Sequence, residues 1–170
     1  MFQFHHQPFV YYERYKEGSA ERKEHLQDET DFLKDLSTDK LPAVSFIKPL
    51  GNNNEHPGYA AVLQGQQHVA DLVDAVIKSS IWNNSVIIIT YDENGGRWDH
   101  VAPPVIDRFG PGTRVPTIII SPFAKTNFVD HTQYETVSIL SFLELRFGLK
   151  PLTDRDAKAA PLTNAFDFRQ

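Results

Sequence analysis

Three polar stretches hold the residues whose types and spacing suit chemistry. Tyr91-Asp92-Glu93-Asn94-Gly95-Gly96 closes an otherwise apolar run, and Asp99 and His100 follow shortly after. Paired carboxylates with Asn and His nearby suit one hard divalent cation of the Ca or Mg type, which can polarise a phosphoryl oxygen or activate a hydroxyl. Asn52-Asn53-Asn54-Glu55-His56-Pro57-Gly58 puts His56 in a loop with turn chemistry at both ends, and His5-His6 precede an aromatic cluster of Tyr11, Tyr12 and Tyr15. Each stretch alone has a plainer reading: a decorated Gly-Gly turn, a surface loop histidine, an inert pair near a terminus. His25 in a charged run reads as solvated, His68 as a helix-start or packing residue, and His131 as part of a helix start.

The elements that must position these groups are short. Ala43 to Lys48, Val86 to Tyr91 and Val115 to Ser121 are apolar, β-branched runs that read as buried strands. Between the first two, Val69, Leu72, Val73, Val76 and Ile77 repeat at helical spacing and predict an amphipathic helix over 66–79. Strand, helix, strand is a parallel crossover unit. Both long loops, 49–63 and 92–114, then leave one sheet edge, which predicts that His56 neighbours Asp92 and Glu93. The segment before the third strand has no helical period, so that strand is expected to run antiparallel and to keep Asp99 and His100 at the same edge. A helix over 133–147 is marked by the capping box Thr132-Gln133-Tyr134-Glu135 and by the stop signals Gly148 and Pro151; a third helix spans about 28–36. The fold class expected is α/β, a mainly parallel sheet flanked by helices with an antiparallel last strand, in a single domain over 1–170.

Composition narrows the function classes. The 170 residues carry 17 Lys and Arg against 22 Asp and Glu, a formal charge of -5, which gives no footprint for nucleic acid. There are no cysteines, hence no thiol nucleophile, disulfide or zinc-thiolate site. Apolar runs such as Val86-Ile87-Ile88-Ile89 are far short of the roughly 20 residues of a membrane span. The first residues lack the pattern of a signal peptide, so either the protein stays where it is made or the start of the gene lies upstream.

Taken together and in order, the motifs resemble a known family. Tyr91 through Pro104, Gly112-Thr113-Arg114-Val115-Pro116, Ile120-Ser121-Pro122-Phe123 and Asp130-His131-Thr132 are similar to successive blocks of the phosphoesterase family of bacterial phospholipases C, plant non-specific phospholipases C and related acid phosphatases. Phe4-His5-His6-Gln7-Pro8-Phe9 and Asn54-Glu55-His56-Pro57-Gly58 look closer to the acid-phosphatase branch. The resemblance implies an alkaline-phosphatase-like α/β sandwich that hydrolyses phosphomonoesters or phospholipids through a phosphoenzyme with a bound metal ion. It implies Asp92 and Glu93 as metal ligands, His5, His6 and His56 in the phosphate pocket, and Asn94, Asp99 and His100 at the site's edge. It further implies a Glu-Asn metal pair and a Ser or Thr nucleophile in an amino-terminal portion, which no segment of this chain resembles. The chain is therefore expected to be the carboxyl-terminal part of such an enzyme, weakly active or inactive alone, with that missing portion as a partner and a secreted or periplasmic location. The other reading is a non-catalytic fragment that binds metal or phosphate or packs with a partner.

Overall fold

A computed structural model describes residues 6–98 and 100–169. The chain forms two compact units, Met1–Asn83 and Asn84–Gln170.

The first unit is helical. Single-turn 3-10 helices at Pro8–Tyr11 and Glu13–Tyr15 lead into α1 (Ala20–His25), which Ser19 caps by accepting the Arg22 amide at 3.1 Å. The Tyr15 ring takes edge contacts from Phe9 and His25 at centroid distances of 5.7 and 6.2 Å, so His25 belongs to an aromatic cluster. α2 (Glu29–Ser37) starts where Asp31 reaches back to the Asp28 amide at 3.2 Å. α3 (Val62–Ile77) carries the expected apolar stripe, with Val76 buried; it begins four residues before the periodicity predicts. His68 Nε2 lies 2.8 Å from Glu29 Oε2 and ties α3 to α2, the packing role its position suggested.

Residues 43–48, expected as the first strand, form none. Pro42 and Pro49 flank the run and each removes a backbone donor, no strand pairs with it, and Phe46 is 75 % exposed. The parallel crossover is corrected accordingly. The sheet among the described residues has two strands and is antiparallel.

That sheet opens the second unit. β1 (Ile87–Thr90) pairs with β2 (Thr117–Ile120) in the register Ile87 opposite Ile120 and Thr90 opposite Thr117, so the antiparallel return holds. α4 (Val137–Phe147), α5 (Asp154–Lys158) and a 3-10 turn at Leu162–Ala165 complete the unit. Ile88 and Ile119 pack against a small core of Phe142, Leu162, Ala165 and Phe166. The Phe142 and Phe166 rings stack at 5.2 Å, and Phe166 stacks in turn on Phe168 at 5.3 Å. Gly148 closes α4 in the left-handed region at φ 64°, where Leu149 N donates to Glu144 O at 2.9 Å.

α4 starts four residues later than expected because the capping-box residues are committed elsewhere. Thr132 N donates to Asp130 Oδ1 at 3.0 Å, the Glu135 amide donates to Ser138 Oγ at 3.1 Å, and the Glu135 carboxylate pairs with Arg155. Asp130 also receives Tyr134 OH at 2.8 Å and Asn164 Nδ2 at 2.9 Å. Burial pushes its pKa up, but the hydrogen bonds from Thr132, Tyr134 and Asn164 outweigh that and hold it at about 2, below 3.8. A carboxyl held down on folding stabilises above its unfolded pKa and loses that contribution as pH falls through its folded one. Asp130→Asn is therefore expected to lower the urea midpoint at pH 5, with the gap to wild type narrowing as pH falls from about 4 toward 2.

Buried acids anchor α5. Asp156, 2 % exposed, accepts Leu152 N at 2.7 Å and Thr153 N at 2.9 Å and bonds the Thr153 hydroxyl. These bonds, the Thr153 hydroxyl foremost, hold Asp156 at about 2, whereas burial and the adjacent Asp156 push Glu144 up. The pKa values of the two neighbouring acids are thus pushed apart, Asp156 down and Glu144 up.

Candidate functional site

β1 delivers the chain to the acidic turn. At the strand's end Thr90 Oγ1 lies 3.0 Å from Thr117 Oγ1 and donates to Pro116 O at 3.2 Å, so the residues between, 91–116, leave and re-enter the sheet at one edge. Asp92 and Glu93 follow directly, both exposed. Glu93 Oε2 accepts Gly95 N at 2.5 Å, Asn94 Oδ1 accepts Gly96 N at 2.8 Å, and Arg97 N donates to Asn94 O at 2.8 Å. Gly95 and Gly96 have φ of 57° and 76°, a left-handed pair that side-chain-bearing residues rarely adopt. The Gly-Gly is thus what lets the chain double back and bring one backbone amide to the Glu93 carboxylate and the next to the Asn94 side-chain oxygen.

Asn94 also donates from Nδ2 to Thr113 Oγ1, which joins the two limbs of the loop near its base. Farther out, Asp107 closes a tight turn: Phe109 N donates to its Oδ1 at 2.7 Å, and Asp107 and Gly110 exchange backbone bonds at 3.3 and 3.4 Å. Arg155 holds this turn. Its Nη1 reaches both Asp107 carboxylate oxygens at 3.2 and 3.3 Å, while Nε and Nη2 donate to Glu135 Oε2 at 2.8 and 2.6 Å. Sequence reasoning missed Asp107, Thr113 and Arg155. The only trace of Arg155 is its place inside the cap motif Thr153-Asp154-Arg155-Asp156, a pattern that reads as helix start and says nothing of a loop some 48 residues back.

His56 sits in the first unit on a turn of its own. Its amide donates to Asn54 Oδ1 at 2.9 Å, its ring stacks on Tyr59 at 4.6 Å, and Nδ1 lies 2.7 Å from Pro57 O. A carbonyl only accepts, so that contact puts a proton on Nδ1 and leaves Nε2 as the basic nitrogen of the neutral ring. His6 is half-buried and His100 is exposed; His5 and Asp99 lie outside the described residues.

The structure thus gathers Asp92, Glu93 and Asn94 into one turn at the carboxyl end of β1. The expected shared edge with His56 was derived from a parallel pairing of 43–48 with β1, and with no strand at 43–48 that derivation falls. The donor set at the turn is hard oxygen, which fits Ca²⁺ or Mg²⁺ in kind. Among the described residues no group of three or more His, Asp or Glu stands ready around a common point.

An acidic turn stabilised by a left-handed Gly-Gly pair thus stands at the end of β1. The chain belongs to the Phosphoesterase family, which it matches over residues 1–150. It is 30 % identical to a non-hemolytic phospholipase C of Pseudomonas aeruginosa, over 81 % of this chain and 25 % of that protein. Phospholipase C B of Mycobacterium tuberculosis is also 30 % identical, over 81 % of this chain and 32 % of its own length. Non-specific phospholipase C6 of Arabidopsis thaliana is 34 % identical, over 79 % and 32 %. The chain therefore spans about a quarter to a third of the length of these relatives. No helix among the described residues is long and apolar enough to cross a membrane.

Proposed function

We propose that this chain carries part of the machinery of a phosphate-ester hydrolase, with Asp92 and Glu93 holding a divalent cation and His56 acting on the phosphoryl group. The observation that carries the reading is the acidic turn itself: two adjacent exposed carboxylates fixed at a strand end by Gly95 and Gly96, inside a chain of the Phosphoesterase family. A bound divalent ion supplies charge neutralisation at the phosphoryl oxygens. The chain's own residues do the rest that is assigned to them here. Asn94 orients the turn through its bond to Thr113. His56 keeps its Nδ1 proton on Pro57 O; in its protonated form the ring carries a second proton on Nε2, which it gives to the leaving oxygen and so returns to the neutral ring, the kind of step worth roughly 10²–10⁴-fold. The family resemblance supports a role for His5 and His6 in binding the phosphate, with Asn94, Asp99 and His100 assisting. The same resemblance supports an alkaline-phosphatase-like sandwich for the whole enzyme. The relatives' names favour a phospholipid over a phosphomonoester as substrate, and an amino-terminal portion supplies the nucleophile.

The test uses the chain alone and together with an amino-terminal phosphoesterase segment bearing a Glu-Asn pair. A chromogenic phosphomonoester and a short-chain phosphatidylcholine are assayed with added CaCl₂ or MgCl₂. His56→Ala is expected to lower kcat about 10²-fold or more, and Asp92→Asn to abolish the dependence on the added cation. Turnover that survives both substitutions overturns the proposal. A cation affinity that calorimetry finds unchanged in Asp92→Asn removes the ligand role on its own.

A further inference from the structure

We propose that Arg155 is a positioning residue for the acidic turn: by holding Asp107 it sets the returning limb of the loop, and through the Thr113–Asn94 bond it sets the turn that presents Asp92 and Glu93. The inference rests on the reading of that turn as the cation-holding part of the site.

The mounting of the two ends gives the arrangement its direction. Arg155 and Glu135 stand on packed structure: Asp156 beside Arg155 is buried and caps α5, and Ser138, which receives the Glu135 amide, is fully buried in α4. Arg155 and Glu135 are themselves mostly sheltered, their side chains 22 % and 12 % exposed. Asp107 instead sits within residues 91–116, whose described residues form no helix or strand, only its own bridge to Gly110. A segment of that length without secondary structure needs anchors if one end is to hold a geometry. The Arg155–Asp107 pair and the Asn94–Thr113 bond are anchors of this kind. Because Asp107 binds the Phe109 amide and bridges to Gly110, fixing its carboxylate fixes the backbone of the turn three residues before Thr113. A guanidinium suits the task because its planar fork serves two carboxylates in set directions; the single ammonium of lysine does not.

Amide exchange on the full chain, read by mass spectrometry, tests the relay in five variants. Arg155→Ala and Asp107→Asn are expected to speed exchange about tenfold both at 107–110 and at the remote turn 92–98. Asp107→Asn leaves the Arg155–Glu135 pair intact and keeps the test valid should Arg155→Ala fold poorly. Thr113→Val is expected to speed 92–98 alone, Arg155→Lys to restore part of the protection, and Arg108→Ala, whose guanidinium lies over the Phe109 ring at 4.5 Å, to change neither. Calcium titration adds a second readout, with a Kd raised about tenfold in Asp107→Asn. Faster exchange confined to 107–110, or spread evenly over 84–169, overturns the proposal, since either is what a merely structural ion pair produces. If 92–98 responds as expected while wild type binds no calcium, the relay stands and the cation-holding reading beneath it fails.

Discussion

Phe142→Ala is expected to melt the second unit at a temperature more than about 10 °C below wild type. Phe142 is 9 % exposed and forms, with Leu162, Ala165 and Phe166, the buried hydrophobic cluster of that unit among the described residues. Truncating a buried Phe costs about 3–5 kcal/mol through lost transfer energy and the cavity left behind, and the stacked pair with Phe166 adds about 0.5–1.5 kcal/mol beyond area. Against total stabilities of about 5–15 kcal/mol, that is a large share. The neighbours cannot readily collapse into the space, because Phe166 is held from its other side by Phe168 and its segment is pinned where Lys125 N donates to Ala165 O at 2.9 Å and Asp167 N to Phe123 O at 2.8 Å. Phe142→Leu keeps most of the volume and is expected to cost under about 1.5 kcal/mol. Thermal melts followed by circular dichroism compare the two, and equal small shifts for both would show that the ring is not packed.

Gly65→Ala is expected to lift the His56 turn off α3 while leaving the helix itself in place. Gly65 is buried in the first turns of α3, and a Cβ there would stand against Glu55 Cγ and 2.8 Å from the Asn53 carbonyl oxygen. The Glu55 side chain can swing aside, but the Asn53 oxygen is backbone and moves only if the loop moves. Overpacking of this kind costs about 1–3 kcal/mol, while alanine gains roughly 1 kcal/mol over glycine as a helix former. Helix and loop therefore respond in opposite directions. The loop has little to resist with: Glu55 already sits at φ 61°, and Gln64 to Asn53 at 3.0 Å is an exposed bond. Exchange of the His56 amide, now held by Asn54 Oδ1, should rise about tenfold with α3 amides unchanged. Faster exchange along α3 instead would show that the helix yields and the loop holds.

What the sequence made legible was what local pattern decides. The apolar runs at 86–91 and 115–121 became β1 and β2, and the absence of a helical period between them foretold their antiparallel pairing. The stripe through Val69, Leu72, Val73 and Val76 became α3. The failures involve partners that local pattern does not name. The run at 43–48 has the composition of a strand but no neighbour to pair with, and flanking prolines work against it. The Thr132–Glu135 box has cap chemistry, yet Asp130 takes the Thr132 amide and Arg155 takes Glu135. At the site, the acidic turn was visible because its donors and glycines are contiguous. The Arg155 clamp was invisible because a guanidinium advertises charge and not the loop it will hold.

One consequence follows from where the two tryptophans fall. Trp82 lies in the first unit, half-buried, and Trp98 lies 73 % exposed on the acidic loop of the second, while the stacked phenyl column of Phe142, Phe166 and Phe168 contains none. Indole emission is therefore insensitive to the packing that holds the second unit together and sensitive to the loop that carries the acidic turn. A Trp82→Phe protein would glow from the loop alone and a Trp98→Phe protein from the helical unit alone. Together they give a two-channel optical readout in which rearrangement of the acidic turn and melting of the first unit can be followed separately in the same chain.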